Sequence, residues 1–152
     1  MNTALLQPTV SDRTSITATP RYLYTLGCHE AGSVALVEAL VALDVTLVDI
    51  GLYALSERGC GQGWWLAERF GQYYWRVPDL GNVWYQQPEH ALRLANPERG
   101  LPLLLARLAD GEALALLCGC PRLERCHRKL VADLVQERLP RVQVIHLPVT
   151  RC

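Results

Sequence analysis

Three cysteines and one histidine lie within ten positions in the last third of the chain. Cys118 and Cys120 are separated by one residue, and Cys126 stands directly before His127. Thiolates and neutral imidazoles act as nucleophiles, proton acceptors and ligands of soft metal ions. The apolar run before Cys118 predicts a strand, and the periodic residues after Cys126 predict a helix. A strand-loop-helix unit therefore carries these side chains.

The start of that predicted helix is suited to bind anions. Unpaired backbone amides at a helix N-terminus attract negative charge and favour a thiolate at Cys126, the candidate nucleophile. The same field keeps His127 neutral and able to accept a proton. Arg128, with Arg122 and Arg125 nearby, could grip a phosphate or carboxylate through paired hydrogen bonds. In the alternative interpretation, Cys126 caps the helix and packs, and the arginines are solvated.

The cysteines also offer ligands to a metal ion. Zinc binds sulfur and nitrogen ligands in a tetrahedron, and the candidates are Cys28, Cys118, Cys120, Cys126 and His127. Their spacing differs from the paired C-x2-C of zinc fingers. A disulfide between Cys28 and Cys120 is a second alternative, and packing of every cysteine in the core is a third.

Hydrophobic periodicity predicts a single α/β domain with a Rossmann-like three-layer architecture. Strands that alternate with helices indicate a mostly parallel five-stranded sheet with helices on both faces. Right-handed crossovers bring the C-terminal ends of the strands to one edge. The predicted strands are 21–27, 45–50, 72–77, 113–117 and 142–147, and the predicted helices are 31–43, 64–70, 88–95, 102–109 and 127–139.

Several polar residues are predicted at that edge of the sheet. Asp49, after the second strand, could orient a catalytic water or a ribose hydroxyl, or it could cap the loop. Ser56 and Arg58 in the following glycine-rich loop are candidate ligand-binding residues, as is Cys118. Strands one and four flank the switch point in common topologies, so Cys28 and Cys118 should lie near each other.

Length and charge narrow the classes of protein further. With 152 residues, 15 basic and 15 acidic, the chain has no broad electrostatic footprint for duplex nucleic acid. Residues 1–20 have no secretory pattern and predict a flexible arm before the domain of residues 21–152. The most apolar long segment, 34–50, carries three carboxylates, which excludes a membrane helix. We therefore expect a cytoplasmic protein with reduced cysteines and no membrane partner.

These motifs together resemble the domain-of-unknown-function 488 (DUF488) family of small bacterial and archaeal proteins, over residues 22–147. The family's strongest signature is a strand ending Leu-Leu-Cys, an acidic residue two positions on, and then Cys-His-Arg. It is similar to residues 116–118 and 126–128 and keeps their separation. The family's opening strand is similar to residues 24–29, and its Leu-Gly turn to residues 80–81. The resemblance implies an α/β fold and a site at the Cys-His-Arg segment, and no established reaction.

The departures from the family pattern affect the site. Cys28 stands at the position of a family histidine, and Cys120 at that of the family glutamate. The family's arginine and proline after strand two are replaced by Gly51 and Ala54. We expect Cys28 and Cys120 to lie close together, as a disulfide or as half of a metal site. The loss of the arginine weakens the anion binding that the resemblance would imply, and marks a divergent member.

The preferred hypothesis is an enzyme-like domain that acts on a phosphate-bearing ligand, a nucleotide or a nucleic-acid end. Cys126 would be nucleophile or ligand, His127 the proton-transfer group and Arg128 the anion clamp, with Asp49 in support. Exposed members of the aromatic-rich segment 64–85 would stack on bases. The alternative is a non-catalytic module whose cysteines hold a metal such as zinc or sense redox state.

Overall fold

A computed structural model of the protein describes residues 20–27, 33–53, 63–120 and 122–148. Within these ranges, five strands form one sheet and four α-helices connect them. The strands are β1 (Arg21–Gly27), β2 (Val45–Asp49), β3 (Tyr74–Arg76), β4 (Ala113–Cys118) and β5 (Val142–His146), and the helices are α1 (Ser33–Ala42), α2 (Gly63–Phe70), α3 (Pro97–Ala109) and α4 (His127–Arg138).

All strand pairs are parallel, in the order β3-β2-β4-β1-β5. Side chains of α1 and α2 join one buried cluster with alternate residues of β2 and β4, and side chains of α3 and α4 join a second cluster with the intervening residues. Helices thus cover both faces, and the predicted three-layer α/β fold is confirmed. Every residue of β2 is buried, as its continuous apolar run predicted.

The connections that follow two neighbouring parallel strands, β1 and β4, run in opposite directions across the sheet. After β1 the chain runs through α1 on one face towards β2, and after β4 it runs through α4 on the other face towards β5. These strands are directly paired, with Gly27 opposite Cys118. The prediction that strands one and four flank the switch point is confirmed. The helix connections diverge there, which leaves a crevice at the C-terminal ends of the strands.

The predicted helix over 88–95 is wrong. This segment is irregular, and the buried Asn82 organises it: its side-chain oxygen accepts hydrogen bonds from the backbone amides of Trp84 and Arg93, both at 3.2 Å. A bridge between Asn82 and Leu94 brings the two ends of the segment together. Contacts between residues distant in sequence therefore determine this conformation, and local periodicity does not report them.

The helix predicted over 102–109 begins earlier, at Pro97. Asn96 caps it by accepting the amide of Arg99, and proline is favoured at a first helical position because it needs no hydrogen-bond donor there. The third strand is shorter than predicted because residues Gly71–Tyr73 form a 3₁₀ turn before it.

The arm predicted over residues 1–20 lies outside the described residues except for Pro20. In the ranges that the structure describes, no helix has both the length and the apolar character that crossing a bilayer requires.

The turn at Leu80-Gly81 requires glycine because two backbone segments touch there. A Cβ atom on Gly81 would overlap the backbone nitrogen and Cα of Leu52, which follows β2. We therefore expect Gly81→Ala to lower the free energy of unfolding by about 3 kcal/mol, since backbone atoms cannot yield as a side chain can. Urea unfolding measures this loss. Gly71→Ala is the control, because its Cβ would meet nothing within 4 Å and only its positive φ of 47° costs about 1 kcal/mol. Equal losses in the two variants would contradict the close approach.

His146, at the end of β5, makes stability depend on pH. Its Nδ1 lies 2.7 Å from Thr25 Oγ1, and partial burial lowers its pKa below the ordinary value, an effect that Lys129 and Arg128 reinforce and Asp133 opposes. Protonation therefore favours the unfolded chain, and stability is lost as the pH falls below about 6.5, the value in the unfolded state. We expect the urea midpoint to fall less between pH 7.5 and 5.5 in His146→Gln than in the unsubstituted protein. If the urea midpoint falls equally in the two proteins, His146 does not cause the pH dependence.

Candidate functional site

Three buried side chains meet at the crevice beyond the ends of β1 and β4. Cys118 is the last residue of β4, Cys126 immediately precedes α4, and His127 is its first residue. The two Sγ atoms are 3.3 Å apart, and His127 Nδ1 lies 3.6 Å from Cys118 Sγ and 3.9 Å from Cys126 Sγ. The structure thus brings together three of the residues that the sequence identified. We call them the Cys-Cys-His cluster.

Backbone amides position both sulfur atoms. The amide of Cys120 lies 3.3 Å from Cys118 Sγ, and the amide of Arg128 lies 3.4 Å from Cys126 Sγ. Cys126 is therefore the N-cap of α4, as the packing alternative proposed, and it also belongs to the cluster. Each contact is a loop or helix-start amide that donates to sulfur, an arrangement that stabilises negative charge on sulfur.

The orientation of the His127 ring is fixed by the chain that follows β2. Its Nε2 lies 2.9 Å from the carbonyl oxygen of Ile50. Because a carbonyl oxygen only accepts, Nε2 carries the proton in this contact. In the neutral ring, the lone pair of Nδ1 then faces the two sulfur atoms.

Cys120 differs from the other two cysteines. Its Sγ lies 3.5 Å from the carbonyl oxygen of Arg122, to which the thiol donates. A hydrogen bond with the Cys126 side chain, and then burial, raise the pKa of the Cys120 thiol far above its ordinary value. Cys120 is accordingly a protonated thiol beside the cluster at neutral pH.

Arg128 lies inside the protein, with 2% of its surface exposed. Its Nη1 donates to the carbonyl oxygen of Cys120 at 2.7 Å, and its Nε has no hydrogen-bond partner among the described residues. The guanidinium thus holds the loop after β4 in place and adds a positive charge near the cluster. The exposed arginines Arg122 and Arg125 line the cavity described below.

Asp49 is buried, and its carboxylate caps the turn after β2. Its Oδ1 accepts from the amide of Gly51 at 2.9 Å and its Oδ2 from the Tyr74 hydroxyl at 2.8 Å. Arg76 Nε is 3.7 Å from the same Oδ2. Strand alternation directs this carboxylate to the face covered by α1 and α2, whereas Cys118 is on the face of α3 and α4. The loop-capping interpretation of Asp49 agrees with these contacts.

Three of the candidate residues lie outside the described residues: Cys28, Ser56 and Arg58. The pairing of Cys28 with Cys120 therefore stays a prediction. The sheet register is compatible with this prediction, because Gly27, the residue before Cys28, is opposite Cys118 at the end of β1.

A cavity of about 730 Å³ opens above the cluster. Cys118, Cys126 and His127 contribute to its lining, residues 119, 120, 122, 124 and 125 form one side, and residues of the irregular segment 82–92 form the other. In that segment, the rings of Trp84 and His90 stack with centroids 4.3 Å apart and an angle of 18°. Sequence reasoning missed this wall because it predicted a helix there. The glycine-asparagine pair at 81–82, a typical turn signal, could have indicated it.

One comparison with known proteins gave a family match. Residues 82–139 match a family model described as "Active DUF488-N3 subclade". The matched range contains the irregular cavity wall, β4, the cluster and α4. No curated protein and no solved structure matches the chain. The family match over 58 of the 152 residues supports the assignment to the DUF488 family that the residue pattern indicated.

Proposed function

We propose that the protein is an enzyme that binds a nucleotide-type ligand in the cavity and acts on its phosphate-bearing end at the Cys-Cys-His cluster. The observation that supports this is the composition of one cavity. Its lining combines the buried cluster, two exposed arginines and a stacked aromatic pair. A nucleotide needs positive charge for its phosphate and an aromatic surface for its base, and both line this one cavity.

The loop side of the cavity suits the phosphate. Arg122 and Arg125 both line it, and arginine binds phosphate through paired, charge-assisted hydrogen bonds. The first turn of α4 begins beside the same lining residues, and helix N-terminal amides attract anions. Glu124 is the acidic residue of the lining, so the arginines give this side a net positive charge.

The opposite side suits a planar ring. Trp84 and His90 already stack on each other, and Tyr85 is exposed next to them. Aromatic side chains stack on any nucleobase, which supports a base-tolerant site. A cavity of about 730 Å³ is within the range of small-molecule sites and is large enough for a mononucleotide.

The cluster supplies the reactive groups. It offers two sulfur atoms and a ring nitrogen at the edge of a largely apolar cavity, where electrostatic interactions are stronger than in water. The matched subclade is described as active, which also supports an enzyme. His127 directs Nδ1 at the sulfurs while the Ile50 carbonyl holds Nε2, so the ring is a fixed part of the reactive group.

We expect the double variant Arg122→Ser, Arg125→Ser to weaken nucleotide binding at least tenfold. Each charge-assisted hydrogen bond to phosphate contributes about 1.5–3 kcal/mol, and both arginines are exposed, so the fold should be unaffected. Isothermal titration calorimetry with AMP, ATP, inorganic phosphate and a 5′-phosphorylated oligonucleotide measures the change. Arg138→Ser is the matched control, because Arg138 is exposed at the far end of α4.

Turnover of the ligands that bind tests the role of the cluster. Cys126→Ser and His127→Ala should each abolish turnover while circular dichroism shows an intact fold. The proposal fails if the unsubstituted protein binds none of these phosphates. It also fails if both cluster variants keep full turnover of a ligand that the protein binds and converts.

A further inference from the structure

We infer that Cys118, Cys126 and His127 bind a zinc ion whose fourth coordination position faces the cavity. The ion would be the cofactor of the proposed enzyme, and only its role towards a ligand rests on that proposed function. The metal site itself rests on the geometry of the three side chains.

The separations of the ligand atoms match one face of a coordination tetrahedron. With zinc–sulfur bonds of about 2.3 Å and zinc–nitrogen bonds of about 2.0 Å, tetrahedral angles place two sulfurs about 3.8 Å apart and each sulfur about 3.5 Å from the nitrogen. The corresponding distances here are 3.3, 3.6 and 3.9 Å. An ion at the centre would therefore need shifts of only a few tenths of an ångström.

The histidine is held as metal ligands are held. A coordinating imidazole usually donates its other ring N–H to a carbonyl or carboxylate, which fixes the tautomer and directs the lone pair at the metal. Here Nε2 meets the Ile50 carbonyl at 2.9 Å, and Nδ1 points to both sulfurs. The hydrogen bond between His127 and Ile50 connects α4 to the chain after β2, so a neighbouring strand of the sheet fixes the imidazole ring.

The sulfur atoms are surrounded by groups that stabilise thiolates. Each one accepts a backbone amide, and the buried guanidinium of Arg128 adds positive charge nearby. Two neutral thiols packed in an apolar core would need neither the amide donors nor the nearby positive charge. On binding, the ion displaces the two thiol protons to solvent, and the thiolates become its ligands without any change in oxidation state.

The site is open on one side. Among the described residues, the group of close ligand atoms has three members, which are the protein ligands of a catalytic rather than a structural zinc. The Cys120 thiol is directed at the Arg122 carbonyl, and all three cluster residues line the cavity. As far as the described residues go, the fourth position is therefore available to water or to a phosphate oxygen, and Cys126 is a ligand instead of a nucleophile.

Metal content is the first test. Protein produced without a histidine tag in zinc-supplemented medium should contain about one zinc per chain by mass spectrometry of the metal. Cys118→Ser, Cys126→Ser and His127→Ala should each lose at least nine-tenths of it. Cys120→Ser is the matched control, since it alters a neighbouring thiol outside the cluster, and it should keep its zinc. Metal-free unsubstituted protein that takes up no zinc on dialysis would overturn the inference.

Cobalt substitution tests the coordination without relying on variants that could fail to fold. Cobalt bound by the unsubstituted protein should give the intense visible bands of a tetrahedral site and a thiolate charge-transfer band. Azide, a small anionic ligand, should shift these bands because one position is open. A spectrum that azide leaves unchanged would show a closed four-ligand site and overturn the open position, and Cys28→Ser and Cys120→Ser would then show which cysteine closes it.

The results separate this inference from the proposed function. Stoichiometric zinc in a protein that binds no nucleotide or phosphate would contradict the enzyme and keep the metal site, as a binding module. A protein that binds and converts nucleotides without any metal, and in which iodoacetamide labels Cys126 at once, would contradict the metal site and keep the enzyme.

Discussion

The site depends on one constraint of the sheet: the connections that follow the paired parallel strands β1 and β4 run in opposite directions. Two parallel strands that are paired along their length send their following helices to opposite faces, so the space beyond their ends stays open. Cys118 ends one of these strands, and α4 brings Cys126 and His127 back over it. Only seven positions, 119–125, separate Cys118 from Cys126, so a short connection is enough to bring the start of α4 back to the end of β4.

The contact between His127 and Ile50 connects this unit to the rest of the sheet. Ile50 follows β2, on the other side of β4 from β1, and its carbonyl fixes the imidazole ring. The cluster is thus supported from two directions, by the loop amides beneath the sulfurs and by the β2 segment beneath the ring. Such support from rigid elements holds reactive groups in one geometry.

Much of this arrangement could be predicted from the sequence. The apolar strands and the α4 pattern are strong local signals, and the positions of Cys118, Cys126 and His127 follow from them. The conformation of 82–95 could not be predicted in this way, because it depends on hydrogen bonds that the buried Asn82 side chain accepts from backbone amides up to eleven positions away. Arg128 was expected to bind an anion because it lies at the start of α4 and can form paired hydrogen bonds. Its burial depends on an acceptor, the Cys120 carbonyl, that only the folded loop presents.

The irregular wall at 82–92 has a consequence for how relatives of this protein can differ. Its two ends are fixed by the Asn82 side chain and by backbone hydrogen bonds from Val83 to Arg93 and from Ala95 to Gly81, and not by a regular helix or strand. Residues between its two ends can therefore change in size and polarity without disturbing the sheet or the sulfur and imidazole groups. Under the proposed function, the contacts to the base and the reactive groups reside in separate stretches of polypeptide, so one scaffold can acquire new base preferences while its chemistry stays the same.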